Sequence, residues 1–243
     1  DGLRTIAVLW VLVFHLGFFL GQRAGPIRYY ALRESPWMAL VWRGDFGVDV
    51  FFVLSGFLIA TSLLDEHRRT GKLAIGRFYA RRALRLYPTL LLMIAAYVML
   101  APILWPADDR WLSAVLAALY VYDYALAFWK LAYTIGHTWS LGVEEKFYLL
   151  WPLVLPLFLR TRHPVGWLVS AFLAVTAWRY LVAMNWAWPQ AYFRFDTRMS
   201  GILLGAIAAL SHFKVSRHAL ATACAALLVL MALPSLPTSY QTE

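Results

Sequence analysis

Apolar residues fall in long runs along this chain, with polar positions gathered between them. Leu3–Leu20 is apolar except for Arg4, Thr5 and His15. Gly47–Leu64 holds one acid, Asp49, and Tyr87–Trp105 holds no charge. Trp111–Trp129 holds only Asp123, Thr138–Leu159 holds Glu144, Glu145 and Lys146, and Val165–Met184 holds Arg179. Met199–Leu210 and Ala219–Leu233 are shorter. About 20 apolar residues in helical form cross a bilayer. The pattern therefore predicts six good spans and two marginal ones. Backbone in lipid must satisfy its own hydrogen bonds, so these segments are predicted to be helices. The alternating segments of about ten residues expected of an outer-membrane barrel are absent.

Composition points the same way. The chain has 243 residues, of which 62% are hydrophobic and 14% charged. Soluble domains carry about 45–50% apolar and about 25% charged residues. The fold class expected is all-α, a polytopic transmembrane helical bundle forming a single membrane domain over residues 1–243. The run at Leu3 is too long for a signal peptide, lacks a small-residue cleavage site and is followed by further spans. The abrupt start at Asp1-Gly2-Leu3-Arg4, without Met, suggests a piece of a longer protein.

The net charge of +9 is unevenly spread. Arg68, Arg69, Lys72, Arg77, Arg81, Arg82 and Arg85 crowd His67–Arg85. The positive-inside rule makes Gly71–Arg85 cytoplasmic. Basic residues flanking lipid-compatible runs argue against a nucleic-acid partner. Two later basic clusters, Arg160/Arg162/His163 and Lys214/Arg217/His218, also favour the cytoplasm, yet simple alternation puts both outside. A re-entrant segment between Tyr87 and Leu159 would reconcile them, and Trp111–Trp129, with Asp123, is the candidate. The lone cysteine, Cys224, excludes an internal disulfide and a cysteine-based zinc site, and no metal site is expected. Phosphate-loop, zincin and nucleophile-elbow motifs are absent.

Ionisable groups inside spans are costly and mark candidate function. Arg4 and His15 are eleven residues apart, so on a helix they share a stripe within about 20° and lie roughly 16 Å apart. They could touch the two ends of one elongated ligand; a snorkelling anchor and a packing histidine are the plainer readings. In His137-Thr138-Trp139-Ser140-Leu141-Gly142-Val143-Glu144-Glu145-Lys146 the adjacent carboxylates diverge by about 100°. One serves chemistry while the other serves structure or pairs with Lys146; the plainer reading is a helix start capped by Thr138 or Ser140. Ser55-Gly56 permits close backbone approach, which in membranes usually means helix packing. Asp196 and Arg198 suggest an ion pair or part of a polar cavity.

Taken in order, these pieces resemble the acyltransferase 3 family of membrane acyltransferases. The likeness runs through Asp1–Val8 with Phe14-His15, Gly47–Ile59, Phe78–Pro88, His137–Leu141 with Val143–Pro152, and more weakly Phe195–Ala206. It implies about ten spans, of which about eight are visible. It implies transfer of an acyl group, often acetyl, from a cytoplasmic acyl-CoA donor (acetyl-CoA in the usual case) to a hydroxyl of a membrane-associated carbohydrate or glycolipid. A multi-pass protein of the bacterial inner membrane, with no resident cofactor, is expected. The family's Arg-then-ten-then-His motif falls on Arg4 and His15, its Arg-x-x-Arg on Arg82 and Arg85, its Ser-Gly-Phe-Leu on Ser55–Leu58. Its Val-Glu-x-Phe-Tyr signature falls on Val143–Tyr148, with Gly142 and Lys146 where Ser or Ala and Gln are commoner. The resemblance makes His15 the candidate base or acyl carrier, with Glu144 or Glu145 orienting it or taking a proton. Arg4, Arg82 and Arg85 would bind donor phosphates, and Ser55 and His137 are expected among the substrate-binding residues. The alternative from the residues alone is a transporter or channel using intramembrane His, Glu and Arg.

Overall fold

The computed structural model of the chain describes residues 2–23, 44–129, 131 and 133–211; within the first helix, the side chains of Leu3, Arg4 and residues 18–23 are outside the description. The described residues are mostly helical, with no strand among them. The helices are α1 (Gly2–Arg23), α2 (Phe46–Thr70), α3 (Ile75–Leu104), α4 (Arg110–Ala118), α5 (Tyr122–Phe128), α6 (Thr138–Leu159), α7 (Pro164–Asn185), α8 (Trp188–Phe193) and α9 (Phe195–Leu210). Three of them, α2, α3 and α7, are long and apolar enough to cross a membrane. The Ala219–Leu233 run, Cys224 and the Lys214/Arg217/His218 cluster lie outside the described residues.

The chain forms two compact units. The first contains α1 and the start of α2. There Gly47 lies against α1: a Cβ would meet the Ala7 carbonyl oxygen and a Val11 methyl at 2.8 Å each.

The second unit, Phe52–His212, holds the rest. The basic segment expected as a loop is mostly helix. Only residues 71–74 are non-helical, and Arg77, Arg81, Arg82 and Arg85 ride on the first turns of α3. At 30 residues, α3 is about 45 Å long, against a hydrocarbon core of about 30 Å. It is thus long enough to cross on its uncharged part alone, with the basic turns left over. His67, Arg68 and Arg69 close α2, where positive charge complements the helix dipole.

The Trp111–Trp129 segment is not one span. It is two short helices, α4 of 9 residues and α5 of 7, about 14 and 10 Å long, neither enough to cross. The break is local chemistry. The Tyr120 N–H bonds the Ala117 carbonyl at 3.1 Å, and the Val121 N–H bonds the Leu116 carbonyl at 3.0 Å. This is a Schellman stop. Its left-handed position, usually glycine, is Tyr120 with φ 57°. Leu90, Ile94, Tyr97 and Ala101 of α3 share one buried cluster with Ala114 and Ala117 of α4 and Tyr122 and Ala125 of α5. The Tyr122 hydroxyl reaches Ser113 Oγ at 3.4 Å, closing the hairpin across its two arms.

Helices α3 and α6 run antiparallel. Arg82 meets Glu145, and one turn nearer the α3 N-terminus the Tyr79 hydroxyl donates to the Leu149 carbonyl at 2.6 Å. Arg160, Arg162 and His163, at the α6 C-terminus, therefore lie at the same end of this unit as Arg77 and Arg81. The hairpin that turns back between α3 and α6 is what brings the Arg160/Arg162/His163 cluster to that end.

Helices α2 and α9 cross in near backbone contact. A Cβ on Gly56 would run into the Ile202 carbonyl, and one on Gly205 into the Val53 carbonyl. Ser55, beside Gly56, is buried at 1% exposure. Small residues here serve helix approach. Gly205→Leu should lower stability by about 1–3 kcal/mol through overpacking, read as a fall in unfolding temperature in detergent, whereas Leu204→Ala on the exposed face should change it little.

Candidate functional site

In the first unit the candidate is His15, on the continuous helix α1. Its Nδ1 lies 2.8 Å from the Val11 carbonyl oxygen. A carbonyl can only accept, so Nδ1 carries a proton, and in the neutral imidazole Nε2 then presents its lone pair. The Phe14 ring stands edge-on to the imidazole, 5.2 Å between centroids. Arg4 shares this helix eleven residues earlier, so the spacing inferred from sequence holds on the backbone; its side chain is outside the description.

In the second unit the polar groups meet around the hairpin tip. Arg82 Nη2 donates to Glu145 Oε1 at 3.1 Å, and its guanidinium lies 3.5 Å from the Tyr148 ring centroid. Glu145 and Tyr148 are three apart on α6, so they line one face and hold the same guanidinium between them. Arg85, one turn further along α3, is exposed. The two arginines predicted to act alike are thus placed differently: one is fixed by α6, the other stands open.

Glu145 does not pair with Lys146. Lys146 Nζ instead donates to Asp123 Oδ1 at 2.6 Å, to the Tyr120 carbonyl at 2.5 Å and to the Gly142 carbonyl at 3.4 Å. Successive α6 residues point about 100° apart, which sends Glu145 to α3 and Lys146 to the hairpin. Asp123 is 0% exposed. Gly142, one turn before Lys146, leaves room for the tip: a Cβ would meet the Tyr120 carbonyl oxygen at 2.8 Å. Glu144 is also buried, at 4% exposure.

His137 sits at the α6 N-cap position without a side-chain cap and is exposed. Thr138 and Ser140 do not cap the helix either. Their hydroxyls donate to the Ile135 and His137 carbonyls at 2.8 and 3.2 Å.

The expected Asp196–Arg198 pair does not form. Asp196 binds Arg194, with Nε to Oδ1 at 2.9 Å, and accepts from Trp178 Nε1 at 2.7 Å and from the Tyr124 hydroxyl at 3.3 Å. A carboxylate two residues from a cation can reach it across the α9 start, whereas Arg198 points elsewhere. Arg198 is 1% exposed, with its guanidinium 4.9 Å from the Tyr192 ring centroid and 5.6 Å from those of Phe52 and Trp139. Burial works against ionising Asp196, but the bonds from Arg194 and Trp178 outweigh it and hold the carboxyl below its ordinary value of 3.8. A depressed carboxyl contributes stability above its unfolded value and loses it as pH falls through the folded one. Acid unfolding of Asp196→Asn and the parent should therefore differ by a constant amount above about pH 5 and converge in stronger acid, read by tryptophan fluorescence.

Sequence reading missed Arg194, Tyr120 and the role of Asp123. The signal available was charge: Asp123 and Lys146 are ions of opposite sign in apolar runs, and a buried unpaired ion is expensive. Among the described residues no cluster of three or more His, Cys, Asp or Glu is placed to hold a metal ion.

The family profile described as Acyltransferase domain, the acyltransferase 3 type, matches residues 1–242. The chain belongs to the acyltransferase 3 family. A family relative, "Putative O-acetyltransferase SACOL0978" of Staphylococcus aureus (strain COL), is 31% identical over 228 residues, covering 86% of this chain and 34% of the relative. "O-acetyltransferase OatA" of Staphylococcus aureus (strain NCTC 8325 / PS 47) is 30% identical over 222 residues, with the same coverage of each chain. This acyltransferase 3 chain thus spans about a third of the length of these curated relatives. No solved structure matches it.

Proposed function

We propose that this chain is the membrane domain of an O-acetyltransferase, which takes an acetyl or similar acyl group from cytoplasmic acyl-CoA and delivers it to a carbohydrate hydroxyl at the membrane. The family match over residues 1–242 carries this reading, and the O-acetyltransferase names of two relatives supply the acyl group.

The site chemistry fits. A thioester is electrophilic, but a sugar hydroxyl is a weak nucleophile at neutral pH. It needs a base, or an acyl relay, and imidazole serves either role. With Nδ1–H held by the Val11 carbonyl, a neutral His15 imidazole has its Nε2 lone pair available for this role. In the base route Nε2 takes the hydroxyl proton as the oxygen bonds the acyl carbon, and CoA thiolate leaves. In the relay route Nε2 bonds the acyl carbon first and CoA thiolate leaves; the hydroxyl oxygen then bonds the acyl carbon as the Nε2–acyl bond breaks, and its proton passes to the freed Nε2. Arg4, Arg82 and Arg85 would bind donor phosphates. Guanidiniums suit phosphate oxygens because their planar fork gives paired charged hydrogen bonds. Glu144 remains the buried carboxylate for a proton-handling role, with Glu145 committed to Arg82, and Ser55 and His137 complete the candidate substrate-binding set.

Topology supports a cytoplasmic donor. The ends of α2 and α6 and the start of α3 gather basic residues at one end of the second unit, and the positive-inside rule makes that end cytoplasmic. We read the membrane as the bacterial inner membrane, where acyl-CoA is available on one face.

Replacing Arg82 and Arg85 together by Lys tests the donor assignment in the intact protein. Insertion and orientation should be unchanged, because the topology rule counts charge. The Michaelis constant for acyl-CoA should rise about tenfold or more, because Lys lacks the planar fork. Unchanged donor kinetics would reduce both arginines to topology signals.

A further inference from the structure

The α4–α5 hairpin places its tip beside the arginine that the donor assignment uses. The Tyr120 ring lies edge-on to Tyr87 of α3, 5.4 Å between centroids, and Tyr87 follows Arg82 by five residues on the same helix. The Tyr120 carbonyl is held by Lys146, whose chain neighbour Glu145 holds Arg82. Burial pushes the Tyr120 phenol well above its ordinary value, the Glu145 carboxylate raises it further, and the Arg82 guanidinium lowers it.

Two polar atoms in this corner are buried without a hydrogen-bond partner: the Tyr120 hydroxyl and Arg82 Nε. A buried polar group left unsatisfied costs free energy, and in native proteins each such atom needs a reason. Here both can donate. Arg82 Nε–H can only donate, so the group that satisfies it must be an acceptor. Two donors on facing elements suit one acceptor oxygen, or two on the same group, and a negative charge would strengthen both bonds.

We propose that the hairpin tip forms a wall of the donor-binding site, with the Tyr120 hydroxyl and Arg82 Nε donating to oxygens of a phosphate of acyl-CoA. The inference rests on the acyl-CoA reading above. It adds Tyr120 as a binding residue and gives the hairpin a function beyond filling space. It also explains why a tyrosine occupies a left-handed position that favours glycine. Glycine would terminate α4 with less strain but bring no hydroxyl. Lys146 and Asp123 then act as positioning residues: Lys146 ties the tip to α6 on one side while Glu145 orients Arg82 on the other.

The test is binding of coenzyme A itself to the intact purified protein in nanodiscs, by calorimetry, for the parent, Tyr120→Phe and Tyr120→Gly. Tyr120→Phe keeps the ring against Tyr87 and removes only the hydroxyl. It should bind coenzyme A about tenfold more weakly, the loss expected for one hydrogen bond to a charged group, with its unfolding temperature unchanged. Tyr120→Gly, which relieves the backbone, should be at least as weak a binder while unfolding no earlier than Tyr120→Phe. Dephospho-coenzyme A, which lacks the ribose phosphate, identifies which phosphate is held: if it is that one, the difference between parent and Tyr120→Phe disappears with this ligand. Coenzyme A binding by the parent that Tyr120→Phe leaves unchanged would overturn this inference alone. Absence of binding by the parent would overturn it together with the acyl-CoA reading on which it rests.

Discussion

His15→Ala in the intact protein should lower acyl transfer by at least about a hundredfold, the low end of what a positioned acid–base group contributes, while leaving expression and detergent stability near the parent's. The asymmetry follows from the local structure. The imidazole donates Nδ1–H to a carbonyl of its own helix, four residues back, so its removal returns that carbonyl to ordinary helix bonding. Little folding energy depends on the ring, whereas the Nε2 lone pair has no substitute in alanine. His15→Gln, which can donate but offers no basic nitrogen, should be equally inactive. Turnover of either variant at a near-parental rate would remove His15 from the mechanism.

The second large effect is on stability. Asp123→Ala should destabilise the protein by about 3–5 kcal/mol, the cost of stranding one member of a buried ion pair. Lys146 sends Nζ to Asp123 Oδ1 and to two carbonyls; without Asp123 the carbonyl contacts remain but the compensating charge is gone. Asp123→Asn with Lys146→Gln should recover most of the loss. Each amide can still donate or accept there, and neither charge is left buried. Thermal unfolding of the single and double variants in one detergent, read as a double-mutant cycle, checks this. A double variant no more stable than Asp123→Ala would show that the pair is not the unit that holds the hairpin.

The long helices were legible because their apolar runs are local. The runs at Leu3, Gly47, Tyr87, Thr138 and Val165 became α1, α2, α3, α6 and α7, with ends shifted by the polar turns that extend them. Composition read Trp111–Trp129 as apolar enough to cross, and it is instead broken at Tyr120. Nothing in periodicity announces that break, because the residue at the left-handed position is a tyrosine in place of glycine. The hint lay in the mismatch of basic clusters and in the lone acid Asp123, both of which pointed to a segment that turns back. The pairings were the hardest part. Glu145 finds Arg82 across 63 positions and Lys146 finds Asp123 across 23, and which of three adjacent ionisable residues meets which partner depends on helix rotation that sequence spacing does not set. Asp196 was read with Arg198 for proximity, but the α9 start turns it to Arg194, and Arg198 goes among aromatic rings. Arg4 and His15 stood out as ionisable groups on one stripe of an apolar run and Arg82 and Arg85 by family resemblance; the structure adds the His15 Nδ1 contact to the Val11 carbonyl and the unequal settings of Arg82 and Arg85.

Acyl transfer from coenzyme A to carbohydrate can be read in one assay. The intact protein, purified into nanodiscs, is given acetyl-CoA labelled in the acetyl group together with membrane lipid and cell-envelope polysaccharide from the producing cells. Free coenzyme A and labelled carbohydrate are then measured together. Coenzyme A release should be matched by alkali-labile label on carbohydrate, and both should be abolished in His15→Ala. Coenzyme A release and labelling at the level of the His15→Ala protein would contradict acyl transfer by this chain.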